Sequence, residues 1–183
     1  MALALVGLPG AGKSAVGRRL GQRLGVSFVD SDQVIEEHLG CSIRAYFERE
    51  GEEAFRDVEQ QVLAGLASSE QGVVATGGGA ILREANRRIL RDRFHVIYLR
   101  SSPEDLLKRL RHDTKRPLLQ VADPLARLRE LHGVRDPLYL EAAHTIVETG
   151  TPSLPALVNT IAMQLQSAGI MTPHSGPDGR PGG

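Results

Sequence analysis

The stretch Gly7-Leu8-Pro9-Gly10-Ala11-Gly12-Lys13-Ser14 reads G-x-x-x-x-G-K-S and follows an apolar run at residues 2–6. A strand, a glycine-rich turn and then a helix is the context that makes this spacing a P-loop. Glycines let successive backbone N–H groups curl into a nest around phosphate oxygens. The helix that follows points its N-terminal donors and positive dipole end at the same anion. Lys13 can reach the β- and γ-phosphates of a nucleotide, and the Ser14 hydroxyl can ligate Mg²⁺, which takes few protein ligands.

Two further groups could do chemistry with a phosphate. Asp30-Ser31-Asp32 and Gly77-Gly78-Gly79 each follow a short β-branched run. Two carboxylates beside a phosphate loop suggest one near a metal, Asp30, and one near a hydroxyl nucleophile, Asp32. Asp30 or Ser31 could equally cap the next helix. The three glycines let the chain approach a ligand closely. Arg56 lies three residues before Glu59 in a helical pattern, and on that evidence alone a surface ion pair explains both. Phe47 and Phe55 read as core residues. Arg135 opens a loop before Pro137, and Arg109 suits a solvated helix face.

The elements that must position these residues alternate. Strands are expected at 2–6, 26–29, 73–76, 94–99 and 144–147. Helices are expected at 13–24, 32–39, 43–49, 52–68, 83–92, from 102 to about 111, at 124–142 and at 154–168. Ser102-Pro103-Glu104-Asp105 is a clear helix start, with a cap, a proline and two acids in order. This rhythm predicts an α/β fold with a mainly parallel sheet covered on both faces. Residues 112–123 break it and read as a mobile lid. The chain reads as one kinase-sized domain over 1–170 and a disordered tail over 171–183.

Composition narrows the class. The 183 residues are 41% hydrophobic, enough for a core, and formal net charge is zero. Whole-chain charge therefore gives no nucleic-acid or membrane signal. Nineteen of the 22 cationic side chains are arginine, suited to bidentate recognition of phosphate or carboxylate, although base composition of the genome explains most of them. Cys41 is the sole cysteine, which excludes an internal disulfide and fits a reducing cytoplasm. No signal peptide and no membrane-length apolar run is present. The six histidines lack a zinc-ligand spacing.

Taken together, GLPGAGKS at 7–14, D-S-D at 30–32, F-R-x-x-E at 55–59, G-G-G at 77–79, K-R-P-L-L at 115–119 and R-x-P-L-Y at 135–139 resemble the shikimate kinase family over about residues 1–165. The resemblance implies a P-loop three-layer fold like the nucleoside monophosphate kinases, with a five-stranded parallel sheet in the order 2-3-1-4-5. It also implies transfer of the ATP γ-phosphoryl group to the 3-hydroxyl of shikimate. By motif position, Gly10, Ala11, Gly12, Lys13, Ser14 and Ala15 would hold the nucleotide phosphates. Asp32 would bind the acceptor hydroxyls and act as or assist the base. Arg56 and Arg135 would hold the carboxylate, with Gly77, Gly78 and Gly79 alongside and Phe47 and Phe55 walling the ring. Arg116 would reach the phosphates from the lid. Ser14 and, through water, Asp30 would hold Mg²⁺. Arg109 and Thr151 would lie near adenine. The adenine-side segment carries Glu148 where the family more often has Asp. The protein is expected to be a monomer that binds neither nucleic acid nor membrane.

Three rival readings are weaker. G-x-G-x-x-A at 10–15 also fits a dinucleotide fold, but Pro9 interrupts the strand and Lys13-Ser14 would have no purpose there. Another small-molecule kinase, such as a gluconate kinase, shares the P-loop and lid logic but has no need of two arginines facing a ring carboxylate plus a G-G-G acceptor loop. A silent nucleotide-binding module would be expected to have lost Lys13, Asp32 or Arg116, and none is lost.

Overall fold

Leu3–Val6 (β1) is buried along its whole length. A strand with no solvated side needs a layer on each face, and the fold supplies both. In the computed structural model, which describes residues 2–69, 72–111, 121–150 and 153–170, five strands form one sheet in the order β2-β3-β1-β4-β5. The others are β2 (Ser27–Asp30), β3 (Gly72–Ala75), β4 (His95–Arg100) and β5 (Thr145–Glu148), and every pairing is parallel. The expected fold class and strand order are both observed.

The helices are α1 (Lys13–Leu24), α2 (Ser31–Leu39), α3 (Ile43–Glu50), α4 (Glu52–Ser68), α5 (Glu84–Arg93), α6 (Pro103–Leu110), α7 (Pro124–Ala142) and α8 (Leu154–Ser167). The chain runs leftward from β1 to β2 and rightward through β3, β4 and β5. Right-handed crossovers then put α1 on one face and α4 to α7 on the other. Helix α8 packs on α1, and α5 packs against both α4 and α7. The main core joins β1, β3 and β4 to Val16, Leu20, Leu106, Leu128, Tyr139 and Ile161. A satellite cluster of Ile35, Phe55 and Val62 joins α2, α3 and α4.

Strand bounds differ from expectation by about one residue, with identifiable causes. Val26 donates its N–H to Gly21 O as part of the turn that closes α1, so β2 begins at Ser27. Phe94 donates to Leu90 O and ends α5, so β4 begins at His95. Two expectations meet at Arg135 and Pro137, a helix over 124–142 and a loop before Pro137, and the structure follows the helix. Neither lies in a loop; both are inside α7. An interior proline costs a helix about 3 kcal/mol. Burying Leu128, Tyr139 and Ala142 on either side of it offsets that, at about 1.5–3 kcal/mol for a large side chain. The lid segment 112–120, including Arg116, lies outside the described residues, as do Thr151 and the tail from 171.

His95 and His144 stack at 5.1 Å where β4 and β5 begin. The Val96 N–H donates to His144 Nδ1, which requires the neutral ring. Burial lowers both pKa values below the ordinary 6.5, helped by His144 at His95 and by Arg91 at His144. The unfolded chain then takes up protons first as pH falls, so stability is fully present above 6.5 and declines below it. The melting temperature should drop between about pH 7.5 and about 5.5, and His144→Gln should shrink that drop. An identical drop in the variant would exclude the pair as its source.

Candidate functional site

Parallel strands put all their carboxyl ends on one edge, and the candidate residues collect there. Beyond β1 the chain turns through Gly12, at φ 90° and ψ 20°, a left-handed conformation that favours glycine. Gly12 is also the N-cap of α1 and offers no side-chain acceptor, so the first N–H groups of the helix are left for an anion. Lys13 Nζ donates to Gly7 O at 2.6 Å and Leu8 O at 3.0 Å, folded along the loop. Pro9, Gly12, Lys13, Asp30, Asp32 and Gly77 line a cleft of about 450 Å³.

Asp30 serves two partners at once. Its Oδ1 accepts the Asp32 N–H at 2.9 Å and caps α2. Its Oδ2 accepts the Ser14 hydroxyl at 2.8 Å. Capping and proximity to the phosphate loop, which the sequence left as alternatives, therefore coexist. The pair Ser14 and Asp30 presents hard oxygen donors on the cleft wall and fits the few protein ligands Mg²⁺ takes. Asp32 is largely withdrawn from water. Burial, then Asp30, then Glu59 push its pKa up to about 6, against the pull of Lys13. A carboxylate so poised can take a proton near neutral pH.

The glycine loop forms the opposite wall. A Cβ built on Gly77 would meet Asp32 Oδ1 at 2.7 Å. One on Gly78 would meet Pro9 and, at 3.3 Å, Arg135 Nη1. One on Gly79 would sit 2.5 Å from Arg56 Nη1 and 2.7 Å from its Cζ. Arg56, Arg135 and Asp32 thus crowd one short loop that has no side chains. Arg56 donates to Glu59 Oε1 at 2.8 Å, so the suspected ion pair exists, but it is buried rather than on the surface. That places it among pairs whose disruption costs about 3–5 kcal/mol, not the zero to 1 kcal/mol of exposed ones. Phe55 lies under the Arg56 guanidinium at 5.1 Å, and Phe47 approaches Phe55 at 5.7 Å while remaining 37% exposed.

Arg109 does not simply face solvent. Its guanidinium donates to Ala11 O at 3.2 Å and Thr149 O at 2.6 Å, joining the P-loop to the segment after β5. Sequence reasoning missed Tyr139, whose hydroxyl donates to Gly78 O at 2.5 Å and holds the glycine loop. The signal was the final Tyr of R-x-P-L-Y, four residues and one helical turn after Arg135.

A nucleotide-phosphate loop beside a proton-accepting carboxylate and an arginine-flanked acceptor loop, on a five-stranded parallel α/β sheet, defines a small-molecule P-loop kinase. Residues 9–166 match the family model described as shikimate kinase. The chain is 54% identical to a shikimate kinase of Paracidovorax citrulli, covering 94% of this chain and 96% of that protein. It is also 54% identical to one of Ralstonia nicotianae, covering 92% and 88%. The solved shikimate kinase of Acinetobacter baumannii in complex with shikimate superposes with a TM-score of 0.87 at 44% identity, covering 93% of this chain and 95% of that one. The chain belongs to the shikimate kinase family, whose members are ATP-dependent phosphotransferases acting on an alcohol group.

Gly79→Ala tests the crowding directly. The new methyl group must push Arg56 off its position over Phe55. The KM for the acceptor should rise by about tenfold or more, and the melting temperature should fall to the extent that the displaced Arg56 leaves Glu59. An unchanged KM in a folded variant would mean that the Arg56 placement is irrelevant to the acceptor.

Proposed function

We propose that the chain transfers the γ-phosphoryl group of ATP to the 3-hydroxyl of shikimate. The observation that carries this reading is the convergence of Arg56, Arg135 and Asp32 on the loop Gly77-Gly78-Gly79. Two guanidinium groups suit a carboxylate, and the carboxylate of Asp32 suits a hydroxyl at the other end of a small ring. Phe47 and Phe55 wall that space. A gluconate kinase reading is disfavoured by the family match over residues 9–166.

The donor phosphates lie on the amides of Gly10, Ala11, Gly12, Lys13, Ser14 and Ala15. Ser14 and, through water, Asp30 would hold Mg²⁺, which would supply positive charge beside the phosphate oxygens. Lys13 adds a cation to the same oxygens. Arg116, by its place in K-R-P-L-L, adds another, and Arg109 and Thr151 border the adenine. Asp32 aligns the attacking hydroxyl and receives its proton, while the arginines fix the ring so that the hydroxyl points at phosphorus. The protein works as a monomer in the cytoplasm.

The test is a coupled assay of ADP release with shikimate and with its analogue reduced at the carboxylate. Wild-type enzyme should use shikimate and turn over the analogue poorly. Arg56→Ala and Arg135→Ala should each raise the KM for shikimate by roughly 10- to 100-fold, with Arg→Lys rescuing only part. The KM for ATP should move far less. Faster turnover of gluconate than of shikimate would remove the acceptor assignment.

The role of Asp32 has its own signature. Its raised pKa means that the carboxylate becomes protonated as pH falls through about 6. The value of kcat/KM for shikimate should rise with pH up to about 6 and then level. Asp32→Asn should lower kcat by about 100-fold or more yet leave ATP binding within a few-fold. A wild-type profile that stays level down to about pH 4, the range of an ordinary aspartate, would exclude it as the base.

A further inference from the structure

The turn of α7 that carries Arg135 is its weakest. Pro137 has no N–H, so the bond that would close this turn onto Gly133 O cannot form. Yet Asp136, at the same turn, is buried and takes three side-chain donors. Tyr98 Oη donates to its Oδ1 at 2.7 Å. Arg100 Nε donates to Oδ1 at 3.1 Å and Arg100 Nη2 to Oδ2 at 3.0 Å, a bidentate clamp. Tyr98 and Arg100 stand two residues apart on β4 and so face the same side of the sheet. His132 Nε2 lies 3.8 Å from Asp136 Oδ1.

Tyr98 does a second thing. Its ring packs against the Tyr139 ring at 4.8 Å, and Tyr139 is the residue that holds Gly78 O. One strand therefore grips α7 at positions 136 and 139. Both lie within about one helical turn after Arg135, which lies beside Gly78 and next to Tyr139. We infer that Asp136, clamped by Arg100 and Tyr98, is a positioning residue that fixes α7 in rotation so that Arg135 meets the acceptor and Tyr139 meets the glycine loop. Helix hydrogen bonding cannot do this alone where Pro137 interrupts it, so side chains anchored on the sheet take over.

The inference rests on the reading of Arg135 as a ligand of the acceptor carboxylate, and the experiment separates the two. Asp136→Asn keeps the shape but turns an amide N–H toward the guanidinium. Its KM for shikimate should rise about tenfold, with kcat at saturating shikimate and the KM for ATP within about threefold of wild type. A merely structural residue would lower the melting temperature and the active fraction, hence kcat, and leave KM alone. Arg100→Met removes the partner from the other side and should give the same KM shift. The double variant should be no worse than either single one, as expected for groups acting as a unit. Arg135→Ala is measured in parallel. If it raises KM while Asp136→Asn and Arg100→Met do not, the positioning role is overturned and the carboxylate reading stands. If Arg135→Ala leaves KM unchanged, both are overturned. Should Asp136→Asn fail to fold, Arg100→Met with Tyr98→Phe decides the matter on the same KM criterion.

Discussion

The carboxylate of Asp30 fixes the distance on which this site depends. One oxygen caps α2 at its first turn, and the other accepts the Ser14 hydroxyl in the first turn of α1. Two helices from neighbouring crossovers are thereby registered against each other at the sheet edge. Phosphoryl transfer asks mainly for such registration, because the protein contributes position and charge rather than covalent chemistry. The start of α1 and Asp32 on α2 are thus tied together through one carboxylate.

Charge balance around that junction is tight. Asp30 and Glu59 gather around Asp32 in one partly dry space, and both raise the cost of ionising it. Burial also raises the pKa of Glu59, and Arg56 is its principal relief. Arg56 therefore has two duties, neutralising Glu59 and facing the glycine loop. The satellite core of α2, α3 and α4 holds it there by burying Phe55, its neighbour in sequence.

Most of the fold was legible in the sequence because its signals are local. Glycine spacing marks the P-loop, Ser102-Pro103 marks the start of α6, and unbroken apolar runs mark the central strands. Arg135 drew two conflicting readings, a helix over 124–142 and a loop before Pro137, for an equally physical reason. Proline is a local signal against helix, whereas the burial that overrides it at Pro137 comes from β4, nearly forty residues earlier. Asp30 could be seen as a cap or as a neighbour of the phosphates, but that one carboxylate does both required the angle between two helices. Tyr139, Arg100 and Asp136 escaped because their partners are set by tertiary contact and not by spacing.

The glycine loop has an implication for how such a cleft can change over time. The width of the acceptor space is set by atoms that are missing, since Asp32, Arg135 and Arg56 fill the room that three side chains would occupy. Any mutation of the loop inserts a wedge and displaces a functional group, so variation there is barred whatever its chemistry. Adaptation toward a larger or differently shaped acceptor must come instead from the removable wall. Phe47, partly open to solvent on a short helix, meets this site through the Phe55 ring and not through the glycine loop. Drift and redesign alike should therefore concentrate on α3 while the opposite wall stays frozen.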